Sequence, residues 1–185
     1  MTVGIDEVGR GCWAGPLVAA AVILDGPIAG LEDSKKLSKS QRQKLAKLIH
    51  EQAIAVGVGW VWPEAIDNGG ITAAVKSAMQ QAIDAIQVPY DEVIIDGHIN
   101  FLPDCAGSQA VIKADDTVMA VSAASIVAKV ARDTYMENLP EQYAKFSFAN
   151  HVGYGTSAHI KELAEHGVTD IHRKSFKPIN KMLAA

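Results

Sequence analysis

The sequence predicts an α/β domain built on a mixed β-sheet flanked by helices, and three observations lead there. Short apolar runs alternate with segments of helical period along the whole chain. The first strand-like runs follow one another too closely for a crossover helix, which makes them an antiparallel meander. A long helix rich in Ala and Ser, late in the chain, has the small surface needed to lie close on a sheet.

Val3–Ile5 opens a short apolar strand that runs into Asp6 and Glu7. Leu17–Leu24, bounded by Gly15-Pro16 and Asp25-Gly26, reads as a buried strand. Ser38 followed by Gln41 has the form of a capping box, and Leu45, Leu48, Ile49 and Ala53 then recur at helical spacing. From Ile54 to Trp62 large residues alternate with Ala55, Gly57 and Gly59, which is the period of a strand. The large face of that strand, including Trp60 and Trp62, is expected in the core. Ile71 to Ile86 traces one helical face that ends near Pro89. Glu92–Asp96 and Ala110–Lys113 are short strands, and the stretch from Val118 to about Asn138 is helical. Thr156 is placed to cap a further helix that stops at Gly167. The expectation is one domain over residues 1–185, with about 168–185 forming a small helical C-terminal appendage.

With 185 residues, 49% of them hydrophobic, the chain can bury a substantial core. No apolar run reaches the roughly 18–20 residues of a membrane span. Cys12 and Cys105 have no metal-ligand spacing, so a soluble, cytoplasmic protein is expected. The net charge of −4 argues at first against a nucleic-acid partner, yet the charge is unevenly spread. Lys35, Lys36, Lys39, Arg42, Lys44 and Lys47 face a single aspartate between Asp33 and His50. Such a stretch is usually a solvated helix face and decides little alone.

Four acids stand at or just beyond predicted strand ends: Asp6, Glu7, Asp96 and Asp115. Strand ends of one sheet converge in space. Gathered carboxylates raise one another's pKa, and a hard divalent cation reverses that cost. Two such ions can serve phosphodiester hydrolysis. Neighbours on a strand point to opposite faces, so Asp6 and Glu7 can share a site only if the strand ends or bulges there. Gly9-Arg10-Gly11-Cys12-Trp13-Ala14 also matches the G-x-G-x-x-A dinucleotide fingerprint, which raises a nicotinamide-dependent oxidoreductase as an alternative. Against it, the motif is followed by Pro16 and a strand, where the fingerprint must open a helix. In the other reading, the glycines let backbone groups approach a sugar-phosphate chain and sense a ribose 2′-OH.

Asp6-Glu7-Val8-Gly9-Arg10-Gly11 with Ala14-Gly15-Pro16 resembles the opening signature of the ribonuclease HII family, the type 2 ribonucleases H. The resemblance continues through Asp33-Ser34-Lys35-Lys36-Leu37-Ser38, Ile95-Asp96-Gly97 and Lys113-Ala114-Asp115. It goes on in Ser122-Ala123-Ala124-Ser125-Ile126, Gly153-Tyr154-Gly155-Thr156 and His172-Arg173-Lys174-Ser175-Phe176. It implies a ribonuclease H-like fold and an endoribonuclease acting on RNA–DNA hybrids and on DNA containing ribonucleotides, with a place in ribonucleotide excision repair. It further implies two divalent ions, Mg²⁺ or Mn²⁺, held by Asp6, Glu7, Asp96 and Asp115. Asp115 is chosen over its neighbour Asp116 by register. Gly9, Arg10 and Gly11 correspond to the loop sensing the 2′-OH, Tyr154 to a tyrosine stacked on the next sugar, and Lys35 and Lys36 to a motif near the phosphates. A monomer is expected. A hybrid-binding module without turnover is the other alternative, disfavoured by the four acids. The six histidines show no ligand pattern, and His159 and His166 are expected at the surface or satisfied internally.

Overall fold

A computed structural model of the protein describes residues 1–31 and 37–184. Its centre is a five-stranded sheet in the order β3-β2-β1-β4-β5. The strands are β1 (Thr2–Val8), β2 (Leu17–Leu24), β3 (Ala53–Val61), β4 (Glu92–Asp96) and β5 (Ser108–Val111). β1, β2 and β3 form the antiparallel meander, while β1–β4 and β4–β5 are parallel. The expected mixed sheet flanked by helices is therefore observed.

Both faces of the sheet are buried, which explains why β2 is apolar throughout. Odd-numbered residues such as Val3, Ile5, Leu17, Ala19, Val93 and Ile95 pack with Val75, Ala78, Met79 and Ala82 of α2 (Pro63–Asp84). Val18, Ala20 and Val22 pack the other way, against Ile49 of α1 (Lys39–Gln52) and Ala123, Ala124 and Val127 of α4 (Met119–Glu137). The short α3 (Ala114–Thr117) precedes α4. Beyond α4, a smaller apolar cluster joins Met136, Phe146 and Phe148 to Leu163 and Ile179. It gathers α5 (Phe148–His151), α6 (Ser157–His166) and α7 (Lys177–Leu183).

Several local signals act as expected. Ser38 Oγ accepts from the Gln41 N–H, and Gln41 Oε1 accepts from the Ser38 N–H, so both halves of the capping box form. Thr156 caps α6, which ends at Gly167. Other expectations are corrected. α2 starts at Pro63, well before Ile71, and crosses a break at Gly70, whose φ is +78°. On β3 the small residues face α2: a Cβ on Gly59 would lie 2.0 Å from the Ala78 carbonyl oxygen. The large face packs only partly, leaving Trp60 half-buried and Trp62 47% exposed, the two rings stacked and edged by Tyr135. The C-terminal segment holds a helix, α7, and residues 168–176 ahead of it are tied to the loop after β1. His172 bridges Ala14, and the Arg173 N–H donates to the Trp13 carbonyl at 2.7 Å.

Candidate active site

β1 and β4 lie side by side in parallel, with Ile5 opposite Ile95. One residue further on, Asp6 and Asp96 therefore stand next to each other at the same end of the sheet. Asp6 is 9% exposed and points to the α4 side, where the Ser125 hydroxyl favours its ionised form. Its carboxyl is pushed up to about 7, mainly by burial, with repulsion from Glu7 and Asp96 adding to the rise and Ser125 opposing it. The Glu7 carboxyl is also raised, chiefly by burial and further by Asp96, while Arg10 pulls it down. The Arg10 Nη1 to Glu7 Oε1 distance is 3.4 Å.

The bulge expected at Asp6-Glu7 is absent. β1 stays in regular register with β2 through Val8, Glu7 lying opposite Ala19. Glu7 thus shares the α2-facing side of Val3 and Ile5, and the two acids approach the end of β4 from opposite faces of the strand. Their shared neighbour is Asp96, which perturbs both. Asp115 lies in the first turn of α3, past the end of β5, and its backbone N–H donates to Asp96 Oδ1 at 3.5 Å. Asp115 is buried and Asp116 is exposed. The acids stand near one another without closing on one point: among the described residues, no group of three His, Cys, Asp or Glu is placed to hold a metal ion. Their donors are oxygen throughout, the set a hard cation takes.

The glycine loop sits beside these acids because α4 and the C-terminal segment grip its backbone. Gly9 has φ +87°, and a Cβ there would lie 2.3 Å from Arg132 Nε. Arg132 is fully buried and donates to the carbonyls of Pro16 (2.8 Å), Val152 (2.9 Å) and Ala14 (3.0 Å). Arg173, also fully buried, donates to the carbonyls of Gly15 (3.0 Å) and Arg10 (3.2 Å). Burial, with repulsion from Arg132, lowers the Arg173 pKa to about 10. Gly11 has open space where a side chain would be, and the Arg10 side chain is exposed, with its guanidinium 5.8 Å from the centre of the Phe101 ring.

The same contacts carry Tyr154. The Gly153 carbonyl accepts from the Trp13 N–H at 2.8 Å, and the Trp13 indole lies where a Gly155 side chain would be. Val152, just before, has φ +42°, a strained conformation for a β-branched residue. Tyr154 is 39% exposed, with Lys129 and Arg132 at 5.8 and 6.0 Å from its ring centre. Its hydroxyl is pushed up to about 12 by burial and by the Cys12 thiol. Lys35 and Lys36 lie outside the described residues. Nothing in the sequence marked Arg132 or Arg173 as buried, since arginine is mostly exposed by type. Ser125, one turn from Ser122 on the sheet side of α4, was legible only as a small packing residue.

The sequence profile of the family described as Ribonuclease HII matches residues 3–179. A ribonuclease HII of Vibrio vulnificus is 51% identical over 183 residues, covering 97% of this chain and 87% of its own length. One from Shewanella sediminis is 46% identical over 192 residues, covering 98% of this chain and 89% of its own. Among solved structures, the ribonuclease HII of Archaeoglobus fulgidus, determined in complex with PCNA, superposes with a TM-score of 0.81. It is 29% identical, with 96% of this chain and 95% of that one covered. A ribonuclease HIII crystallised with Mn²⁺ shares the fold at a TM-score of 0.74 and 22% identity, covering 99% of this chain and 69% of that one. The chain belongs to the ribonuclease HII family and is an endonuclease of the ribonuclease H type.

Proposed function

We propose that the enzyme hydrolyses the RNA strand of RNA–DNA hybrids and cuts on the 5′ side of ribonucleotides embedded in duplex DNA, leaving 3′-hydroxyl and 5′-phosphate ends. The observation that carries this reading is the gathering of carboxylates at the adjoining ends of β1 and β4, Asp6 beside Asp96 with Glu7 next to it and the Asp115 N–H on Asp96 Oδ1; burial and repulsion from Asp96 raise both Asp6 and Glu7. Such a set is costly alone and becomes favourable beside a divalent cation. Asp6, Glu7, Asp96 and Asp115 would hold two Mg²⁺ or Mn²⁺ ions. When bound, those ions supply an activated water at neutral pH and neutralise charge at the departing 3′-oxygen.

The protein's own part is positioning. The adjoining ends of β1 and β4 and the Asp115 amide fix where the carboxylates stand. Gly9, Arg10 and Gly11 present backbone to the ribose 2′-OH, and the exposed Arg10 guanidinium reaches a phosphate. Tyr154 stacks on the sugar after the ribonucleotide, so that an RNA–DNA junction is accepted. Lys35 and Lys36 approach the phosphate backbone. A pure duplex binder would gain nothing from anions aimed at phosphates, which favours turnover. The enzyme works as a monomer in the cytoplasm, where the free thiols Cys12 and Cys105 stay reduced, and removes ribonucleotides from DNA as an excision-repair step. No described helix is long and apolar enough to cross a membrane.

The test is product mapping on a DNA duplex with one ribonucleotide, with Mg²⁺, Mn²⁺ or chelator. The expected result is a cut 5′ to the ribonucleotide that depends on the cation. An intact substrate with either cation, or a cut that survives chelation, overturns the reading.

A further inference from the structure

Three histidines that the site does not use, His151, His159 and His172, are 6%, 0% and 0% exposed and lie directly beneath the Tyr154 loop. The His151 and His159 rings stack with centres 4.3 Å apart, and His159 Nε2 meets His172 Nε2 at 3.0 Å. Between two ring nitrogens only one can carry the proton, so the partners of the other nitrogens decide the arrangement. His172 Nδ1 accepts from the Thr169 N–H at 3.0 Å, which leaves its proton on Nε2. His159 must then accept at Nε2 and carry its proton on Nδ1. That proton points at the Tyr154 carbonyl, 3.0 Å away. His151 completes the support. Its Nδ1 accepts from the Gly153 N–H at 3.2 Å, so its Nε2–H donates to Glu162 at 2.9 Å.

We infer that His172 and His159 form a relay of fixed tautomers that orients the Tyr154 peptide, which makes them positioning residues for recognition of the RNA–DNA junction. The inference rests on the reading of Tyr154 given above. The loop needs such support because the strained Val152 backbone immediately precedes it. The imidazoles hold the peptide groups on both sides of the Gly153–Tyr154 segment, while Arg132 holds the Val152 carbonyl. Burial favours the neutral rings that the relay requires, since it lowers the pKa of both His159 and His172.

Nitrogen-15 NMR of the imidazoles in the wild-type enzyme near neutral pH should show the Nδ1–H tautomer for His159 and the Nε2–H tautomer for His172. The opposite tautomer at either ring overturns the relay. His159→Phe keeps an aromatic ring against His151 and Phe148 and removes both bonds. It should lower kcat/KM about fivefold on the single-ribonucleotide duplex, the effect of one neutral hydrogen bond, and less than about twofold on a long hybrid. His159→Asn, whose amide nitrogen can stand near the Nδ1 position, should restore most of that loss. Equal losses on both substrates, or no rescue by Asn, mean a purely architectural histidine core and overturn the inference. The double variant Tyr154→Ala with His159→Phe should be no slower than Tyr154→Ala alone, and multiplying losses again overturn it. If Tyr154→Ala by itself leaves the ratio of the two substrates unchanged, the Tyr154 reading falls and takes the relay's role in substrate recognition with it. The tautomer measurement still decides the relay itself, so the two failures are told apart.

Discussion

Replacing Asp6 by Asn should stabilise the metal-free enzyme, by an amount that grows as pH rises from about 4 to about 7. The Asp6 carboxyl is pushed up from 3.8 to about 7, chiefly by burial and then by Glu7 and Asp96 against the pull of Ser125. A carboxyl whose folded pKa exceeds its unfolded value favours the fold while protonated. That contribution is complete below about pH 4 and is lost as pH rises through about 7. Three units at about 1.36 kcal/mol each set a ceiling of about 4 kcal/mol. Relaxation and water entry reduce it, so about 1–3 kcal/mol is expected between about pH 5 and about pH 8. Asn is nearly isosteric, cannot ionise in this range and keeps an acceptor for the Glu7 N–H, which bonds Asp6 Oδ1 at 2.8 Å. For a chain of this size, roughly 2–4 °C per kcal/mol applies, so the Tm gap between variant and wild type should widen by about 3–8 °C over that pH range. The assay is thermal unfolding in chelator at both pH values, repeated with Mg²⁺ or Mn²⁺. The cation should raise the wild-type Tm and scarcely move the variant. A gap independent of pH, or a variant stabilised by cation as much as wild type, would refute the coupling of burial, repulsion and metal binding argued for this site.

Asp96→Asn should lower kcat at least about 10³-fold while hybrid affinity stays within about threefold, as expected for a group needed only in the chemical step; parallel loss of both in kinetics and binding titrations would contradict its role. Gly9→Ala combines a left-handed backbone with a Cβ 2.3 Å from Arg132 Nε, so denaturant unfolding should show a loss of about 2–4 kcal/mol. A neutral result there would mean that the loop is not held by Arg132. Ser38→Ala removes one half of an exposed capping box and should cost about 1 kcal/mol of stability, with cleavage per folded molecule unchanged.

The mixed sheet was legible because its signals are local. The meander follows from short spacings between apolar runs, and the starts of α1 and α6 from Ser38 and Thr156. The early half of α2 was hidden by the polar residues Glu64, Asp67 and Asn68 and by Gly69-Gly70, which interrupt the apolar period, although Pro63 at its first position is a sound helix start. The faces of β3 were misjudged because size was taken for burial. Tight contact with α2 selects glycine, so the emptier face of the strand is the better packed one. Asp6, Glu7, Asp96 and Asp115 came from strand-end placement and from resemblance, yet the manner of their meeting did not. A strand that stays regular through Val8 sends Asp6 and Glu7 to opposite faces, and Asp96 on the adjoining β4 lies near both. The histidines at 151, 159 and 172 follow no period, because three different segments deliver them.

The two buried arginines explain how segments so far apart in sequence are held together at one edge of the fold. Arg132 and Arg173 spend their donors on main-chain carbonyls, from Arg10 to Pro16 and at Val152, and among the described residues neither forms an ion pair with a carboxylate. A guanidinium suits this task because its donors are rigidly arranged and always charged, so one side chain can fix several peptide groups at once. The cost is two desolvated cations close together, visible in the lowered pKa of Arg173, and an Nη2 on Arg173 that finds no acceptor among the described residues. Under the proposed reading that cost falls where backbone geometry matters most, since peptide groups of the Gly9–Gly11 loop would meet the 2′-OH. A loop of glycines is free to approach a ribose and equally free to move away. Anchoring its carbonyls from the buried side removes the second freedom and leaves the first, and it ties the Gly9–Gly11 turn, the Tyr154 turn and the C-terminal segment into a single rigid edge beside Asp6.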